Sequence, residues 1–357
     1  MIVIPEEFAR DTVAREGAAG ADWIGELPGI TEELLSRWGC VPDGAVTHGA
    51  VGLIVPVRCP RPAAGGGPTT DPNPPTDPST PAGPASPTGP SAPTSPDPAA
   101  PAPAPGPTTP AVLKISFPHP GNVHEPDAFA LWGGQGAVAL YERDDARFAM
   151  LLERAGPGSL AELTDSEEVG RVAGRLSRRL AVPAPPGLPR LSDRVAPWAD
   201  GLAKDAGELE HQLAPRVLDV AAATVRELGP AQPETLVHGD LHTRNVLRSE
   251  REPWLAIDPK GYVGDPAYDS GALLTSRALP LASADDLGRA LHRMLAAFAE
   301  AAELDRDRAL RWAQLHAVRA AFWGRRHGFH VARDGAERDQ IVQLAEYVAT
   351  LLTPGAA

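Results

Sequence analysis

A tract of 51 residues, 60–110, carries 19 of the chain's 40 prolines, and strand-like runs flank it on both sides. It is built from Pro, Ala, Thr, Gly and Ser with little else, and no apolar side chain in it is large enough to anchor it. Such a segment is expected to be disordered or locally polyproline II. Lying between two strands, it reads as an insertion into a hairpin and not as a linker between independent domains. A long surface loop of this kind is tolerable, because each doubling of length costs only about 0.6 kcal/mol. Docking of a proline-binding module is the alternative use, but the basic residues that usually flank such ligands are missing.

The 306 residues outside the tract suffice for one large two-lobed domain or two ordinary ones. A hydrophobic content of 43% fills a sizeable core and excludes a wholly disordered chain. With 33 basic and 46 acidic residues the net charge is −13, which disfavours a nucleic-acid surface and suits a cationic small-molecule partner. Two cysteines, Cys40 and Cys59, cannot make a disulfide framework or a cysteine-rich zinc site, and read as reduced thiols. The opening Met-Ile-Val-Ile-Pro-Glu-Glu-Phe8 has no basic leader, and no stretch approaches the roughly 18 apolar residues that span a bilayer. A soluble, cytoplasmic monomer with no membrane partner is expected.

Along the chain, residues 5–38 read as helical, with Gly39 as the stop. A strand (45–48), the turn Gly49-Ala-Val-Gly52 and a second strand (53–57) follow, and a third strand covers 111–117. Pro126 opens a helix through about Trp132. Segments 137–141 and 147–153 read as strands. Amphipathic helical runs lie near 167–180, 202–228, 284–302, 306–326 and 336–352, interrupted by a strand-rich island at 235–258. Strands first and helices later indicate an α+β, two-lobed protein.

The chemistry concentrates in that island. Asn245-Val-Leu-Arg248 and Trp254-Leu-Ala-Ile257 are equal short strands separated by Ser-Glu-Arg-Glu-Pro, a turn composition. Folded as a hairpin, they bring Asn245 and Asp258 to one end, and Asp240 lies on the loop entering that end. Singly these would be an ordinary turn asparagine and two solvated loop carboxylates. Converging, they are oxygen ligands of the kind Mg²⁺ takes while sharing its remaining positions with phosphates.

The string His-Gly-Asp-x4-Asn followed by Asp-Pro-x-Gly resembles the catalytic core of the aminoglycoside phosphotransferases, relatives of protein kinases. The longer strings Val-His-Gly-Asp-Leu-His and Ile-Asp-Pro-Lys-Gly-Tyr-Val-Gly-Asp-Pro-Ala-Tyr-Asp269 are similar to the streptomycin 6-kinase and hydroxyurea phosphotransferase branch. The resemblance runs from about Gly44 to about Gly328, broken by the Pro-rich tract. It implies a protein-kinase-like fold with a nucleotide-binding lobe over 1–152, interrupted at 60–110, and a catalytic and acceptor-binding lobe over 153–357.

The resemblance also implies roles. Asp240 accepts the acceptor hydroxyl's proton, and Asn245 and Asp258 hold Mg²⁺ against ATP. Lys114, in Ala-Val-Leu-Lys-Ile-Ser, reaches the α- and β-phosphates. A lone strand lysine is usually a solvent-facing charge, but the chain has only three lysines (114, 204 and 260) against 30 arginines. An ammonium kept among so many guanidiniums marks a place where the planar fork does not fit. Lys260 shares that argument, or simply pairs with a nearby acid. Glu125 is the expected partner of Lys114, with Asp127 competing. Gly49 and Gly52 stand where a loop covers the phosphates, and Glu153, in Leu151-Leu-Glu-Arg154, closes a strand where adenine is contacted. Asp265 also matches the family, while Asp269, His238 and His242 are read as braces of the catalytic loop. Phe322 and Trp323 belong either to an acceptor pocket or to the core.

Two other classes compete. His238-x-Asp240-x-His242 could be a metal triplet of a hydrolase, but no second ligand cluster accompanies it and Asn245 and Asp258 would lack a role. A catalytically inactive kinase-like binding module conflicts with the intact Asp240, Asn245, Asp258 and Lys114. No G-x-x-x-x-G-K or G-x-S-x-G is present. The reading is therefore an ATP- and Mg²⁺-dependent O-phosphotransferase acting on a streptomycin-like aminoglycoside, or else on another small alcohol or hydroxyurea.

Overall fold

The computed structural model describes residues 2–60, 108–329 and 335–355. The expected disorder of the Pro-rich tract therefore concerns residues outside the described ones, apart from its two ends.

The N-terminal helical run is two helices, α1 (Glu6–Glu16) and α2 (Ala18–Arg37), separated at Gly17. Then come β1 (Val41–Pro42), β2 (Thr47–His48), β3 (Gly52–Pro60), β4 (Thr108–Ser116), α3 (Glu125–Trp132), β5 (Leu140–Asp144) and β6 (Ala149–Glu153). They form one antiparallel sheet in the order β1-β3-β4-β6-β5, with β2 also paired to β3. The pairing of β3 with β4 runs unbroken from Gly52↔Ser116 to Pro60↔Thr108. The two ends of the Pro-rich tract are thus adjacent. Replacing 61–107 with Asn-Gly, a two-residue hairpin turn, is expected to leave the melting temperature within a few degrees and phosphoryl transfer within about twofold. A collapse of either, followed by circular dichroism and a coupled assay, would show that the tract supports the sheet.

Period-2 alternation divides this sheet's side chains between two cores. Leu53, Val55 and Val57 of β3, Ala111, Leu113 and Ile115 of β4, and Ala149 and Leu151 of β6 pack with Phe8, Trp23, Leu27 and Leu34 of α1 and α2. Met150 and Leu152 face the other way and join Ala128, Phe129 and Trp132 of α3 in a second core. Lys114, between Leu113 and Ile115, is therefore turned from the first core toward α3.

Cys40 and Cys59 do not stand as separate thiols: they form a disulfide. The cause is register, since β1 and β3 pair Val41 with Arg58 and so set the preceding Cys40 across from Cys59. The sequence carries both residues but not the pairing of so short a strand.

The rest of the chain is mostly helical: α4 (Ser166–Leu180), β7 (Val182–Pro183), α5 (Val195–Glu208), α6 (Pro215–Leu228), β8 (Thr235–Val237), β9 (Val246–Arg248), β10 (Trp254–Ala256), β11 (Tyr262–Val263), α7 (Asp269–Leu281), α8 (Leu287–Ala302), α9 (Arg306–His327) and α10 (Gly335–Leu351). The expected run 202–228 is two helices, because Pro215 starts a new one. Strands β7, β8 and β11 form a small sheet, and β9 and β10 a hairpin. The architecture is α+β, with the sheet in the N-terminal region and helices dominating the C-terminal one. Backbone bonds of the 136–139 segment to Ala256 (Val138 N–H to Ala256 O 3.1 Å, Ala256 N–H to Gly136 O 2.9 Å) tie the two regions together. That segment therefore bridges to the hairpin before β5 begins, three residues later than the strand expected at 137–141. Among the described residues no helix is long and apolar enough to cross a membrane.

Candidate active site

The hairpin forms as its sequence requires. Val246 pairs with Ala256, and the Ile257 N–H donates to the Asn245 carbonyl at 2.9 Å. Asn245 and Asp258 consequently flank one end. Asp258 adopts φ +57°, an uncommon conformation for a residue with a Cβ that costs on the order of 1–3 kcal/mol. Backbone bonds on both sides hold it there, because two residues on the Lys260 N–H donates to the His238 carbonyl at 2.8 Å. The bend turns the Asp258 carboxylate back toward β4.

There it meets Lys114, whose Nζ lies 2.6 Å from Asp258 Oδ1 and 2.5 Å from Glu125 Oε1. Glu125, not Asp127, is the partner: Asp127 pairs with His124 (2.9 Å) and Arg143 (3.0 Å). On the far side of Asp258, Lys260 Nζ lies 3.4 Å from Asp258 Oδ2 and 3.6 Å from Asp240 Oδ2. Five side chains of alternating sign thus form one chain, Glu125–Lys114–Asp258–Lys260–Asp240, from helix α3 to the loop after β8.

Burial opposes the charge of Lys114, but Glu125 and Asp258 outweigh it and its pKa is raised. Burial also works against an ionised Asp258, yet Lys114 and Lys260 together hold it below the ordinary carboxylate range. Glu125 is pushed up to about 7 by burial, against the pull of Lys114.

The loop carrying Asp240 is fixed from three sides. Buried His238 accepts from the Asp240 N–H at Nδ1 (3.2 Å) and bonds the Ile257 carbonyl through Nε2 (2.9 Å). Both ring nitrogens are committed, and burial lowers the ring's pKa to about 3. A His238/Asp240/His242 metal triplet would need one of those nitrogens, so the hydrolase reading loses a ligand. Asp269 accepts from the Gly239 N–H at 2.8 Å, and the Asn245 amide donates to the Asp240 carbonyl at 3.0 Å. Asp265 caps the turn before α7 and accepts from Ala267 N–H (3.0 Å), Trp312 Nε1 (2.7 Å) and Arg308, so it holds scaffold.

Gly239 has φ +80°, and a Cβ there would stand 2.6 Å from Tyr262 Cδ2 and 3.2 Å from Lys260 Cβ. Gly239→Ala is expected to cost about 1–2 kcal/mol in backbone strain alone and to shift Asp240. A drop in kcat of at least about tenfold, with the protein still folded by circular dichroism, is the expected result.

The other expected residues lie at varying distances from this cluster. Gly52 is buried beside it, where a Cβ would stand 2.9 Å from Ser116 Oγ and 3.5 Å from Lys114 Cε. Gly49 is exposed at the turn tip, its N–H donating to Gly52 O at 2.8 Å. Glu153 is not part of the ion chain. Its carboxylate clasps Arg251 (3.0 and 2.8 Å) and accepts from the Ala139 N–H (3.0 Å), joining β6 to the β9–β10 turn. Phe322 is buried core, whereas Trp323 is exposed and stacks on His327. The position of Lys260 between two carboxylates had one sequence signal, the scarcity of lysine.

A family profile described as aminoglycoside/hydroxyurea antibiotic resistance kinase matches residues 104–328. The streptomycin 6-kinase of Streptomyces glaucescens is 31% identical over 325 residues, covering 90% of this chain and 91% of that protein. The hydroxyurea phosphotransferase of Kitasatospora aureofaciens is 33% identical over 273 residues, 75% of this chain and 67% of that protein. A solved choline/ethanolamine kinase family protein from Mesorhizobium loti matches at TM-score 0.48 and 15% identity, over 68% of this chain and 82% of that one. The class is a phosphotransferase with a hydroxyl acceptor. Within it, the chain belongs to the aminoglycoside/hydroxyurea antibiotic resistance kinase family.

Proposed function

We propose that the protein transfers the γ-phosphoryl group of ATP, with Mg²⁺, to a hydroxyl of a streptomycin-like aminoglycoside. The observation that carries this reading is the ion chain from Glu125 to Asp240, which lines up a buried ammonium, a carboxylate and a second carboxylate between sheet and hairpin. The donor set fits Mg²⁺: a carboxylate at Asp258 and an amide at Asn245 whose nitrogen is already used, leaving the oxygen as donor. When bound, Mg²⁺ supplies charge neutralisation at phosphate oxygens.

The remaining work falls to side chains. Lys114, fixed by Glu125, offers its ammonium to the phosphates of ATP, and Gly52 leaves them room. Asp240, oriented through His238 and Asp269, accepts the proton of the acceptor hydroxyl. Catalysis is positioning and charge stabilisation, as phosphoryl transfer requires. A net charge of −13 favours a guanidinium-bearing acceptor. The division into a nucleotide-binding lobe over 1–152 and an acceptor-binding lobe over 153–357 belongs to the same reading, as does a monomer acting in the cytoplasm, where ATP is supplied.

A coupled ADP-release screen against streptomycin, other aminoglycosides, hydroxyurea and small alcohols tests it. Turnover with streptomycin is the expected result. Turnover with hydroxyurea alone would reassign the acceptor, and no turnover with any hydroxyl compound would overturn the reading.

A further inference from the structure

We propose that Lys260 is a catalytic residue that accompanies the phosphoryl group in transit, an inference that rests on the phosphotransferase reading above. Two of the chain's three lysines stand in the same ion chain, although 30 arginines are used elsewhere. They are held differently. Lys114 is buried and in close contact with two carboxylates, at 2.5 and 2.6 Å. Lys260 is one-quarter exposed and stands at 3.4 Å from Asp258 and 3.6 Å from Asp240, within reach of both and bound tightly to neither.

Its backbone is not loose. The Lys260 N–H donates to the His238 carbonyl, and its Cβ would be 3.2 Å from a Cβ placed on Gly239, so the root of the side chain packs beside the residue preceding Asp240. A fixed root and a head held only at 3.4 and 3.6 Å place a point charge between the donor-side carboxylate and the acceptor-side carboxylate. In the transfer, Asp240 takes the hydroxyl proton as the acceptor oxygen bonds to the γ-phosphorus. The P–O bond to ADP breaks, and its electron pair leaves on ADP. Negative charge on the transferring oxygens passes between the two carboxylates, where repulsion is greatest and where only Lys260 offers an intervening cation among the side chains of the ion chain. A compact ammonium with three rotatable donors can follow that movement.

The test separates ground-state from transition-state binding. For Lys260→Met, and for Lys260→Gln should the Met variant fold poorly, kcat with the best acceptor from the screen is expected to fall at least about 100-fold. Calorimetry with Mg²⁺ should find AMP-PNP affinity within about threefold of wild type, while affinity for ADP with fluoroaluminate and acceptor falls by a factor similar to that in kcat. Wild-type kcat in either folded variant, with Asp240→Asn inactive, would overturn the role of Lys260 alone. So would an equal loss of AMP-PNP and fluoroaluminate affinity, which marks a simple anchor. A wild-type protein that binds no nucleotide would overturn the phosphotransferase reading, and this proposal with it.

Discussion

Asp240→Asn is expected to slow phosphoryl transfer by about 10²–10⁴-fold, the usual contribution of a positioned general base, while AMP-PNP affinity stays within about threefold of wild type. The substitution keeps the size of the side chain and leaves in place the backbone bonds to His238 and from Asn245. What is lost is the proton acceptor, together with the negative charge facing Lys260 at 3.6 Å. Single-turnover measurement is the suitable readout, because it isolates chemistry from product release. Near-wild-type rates would remove the base from the mechanism.

Asp258→Asn is expected to act one step earlier. Binding of Mg²⁺ with AMP-PNP should weaken by at least about 100-fold, because a neutral amide replaces the one carboxylate in the donor set proposed for the metal. Calorimetry with and without Mg²⁺ measures it, and a loss seen only with the metal is the expected pattern. The substitution also strips an anion from between Lys114 and Lys260. Since the folded protein holds Asp258 below its ordinary value, its ionised form stabilises the fold above about pH 4, the unfolded carboxylate value. That contribution is lost as pH falls further. The melting temperature of Asp258→Asn should accordingly lie below wild type at pH 7, with the gap narrowing as the solution is acidified below about pH 4. A gap that widens in acid would contradict the ion-pair account.

Local pattern makes part of this site legible. Two equal runs around a turn composition predict the β9–β10 hairpin, and a hairpin end predicts that Asn245 and Asp258 meet. Alternation in 111–117 places Lys114 opposite Leu113 and Ile115, as observed. The choice between Glu125 and Asp127 is less accessible, because both open helix α3 and only the fold shows that Arg143 and His124 occupy Asp127. Long-range partners leave no local trace. The Cys40–Cys59 bond depends on the pairing of a two-residue strand. The clasp of Glu153 on Arg251 joins residues 98 positions apart. Helix α7 is equally hard to read, since its first turn bears Asp269 and its end contains Pro280, leaving little amphipathic signature.

The unbroken register of β3 and β4 has a practical consequence. Lys114 pairs with Ile54, and the strands continue six residues further to Pro60 and Thr108. At the rise of a β-strand this places the loop end of the hairpin about 20 Å from the ammonium. New chain termini, or a folded reporter domain spliced between Pro60 and Thr108, would enter the molecule at adjacent points well away from the reacting groups. Circularly permuted and domain-inserted versions of the enzyme should therefore keep turning over, which makes this end of the β3–β4 hairpin a natural port for building sensors.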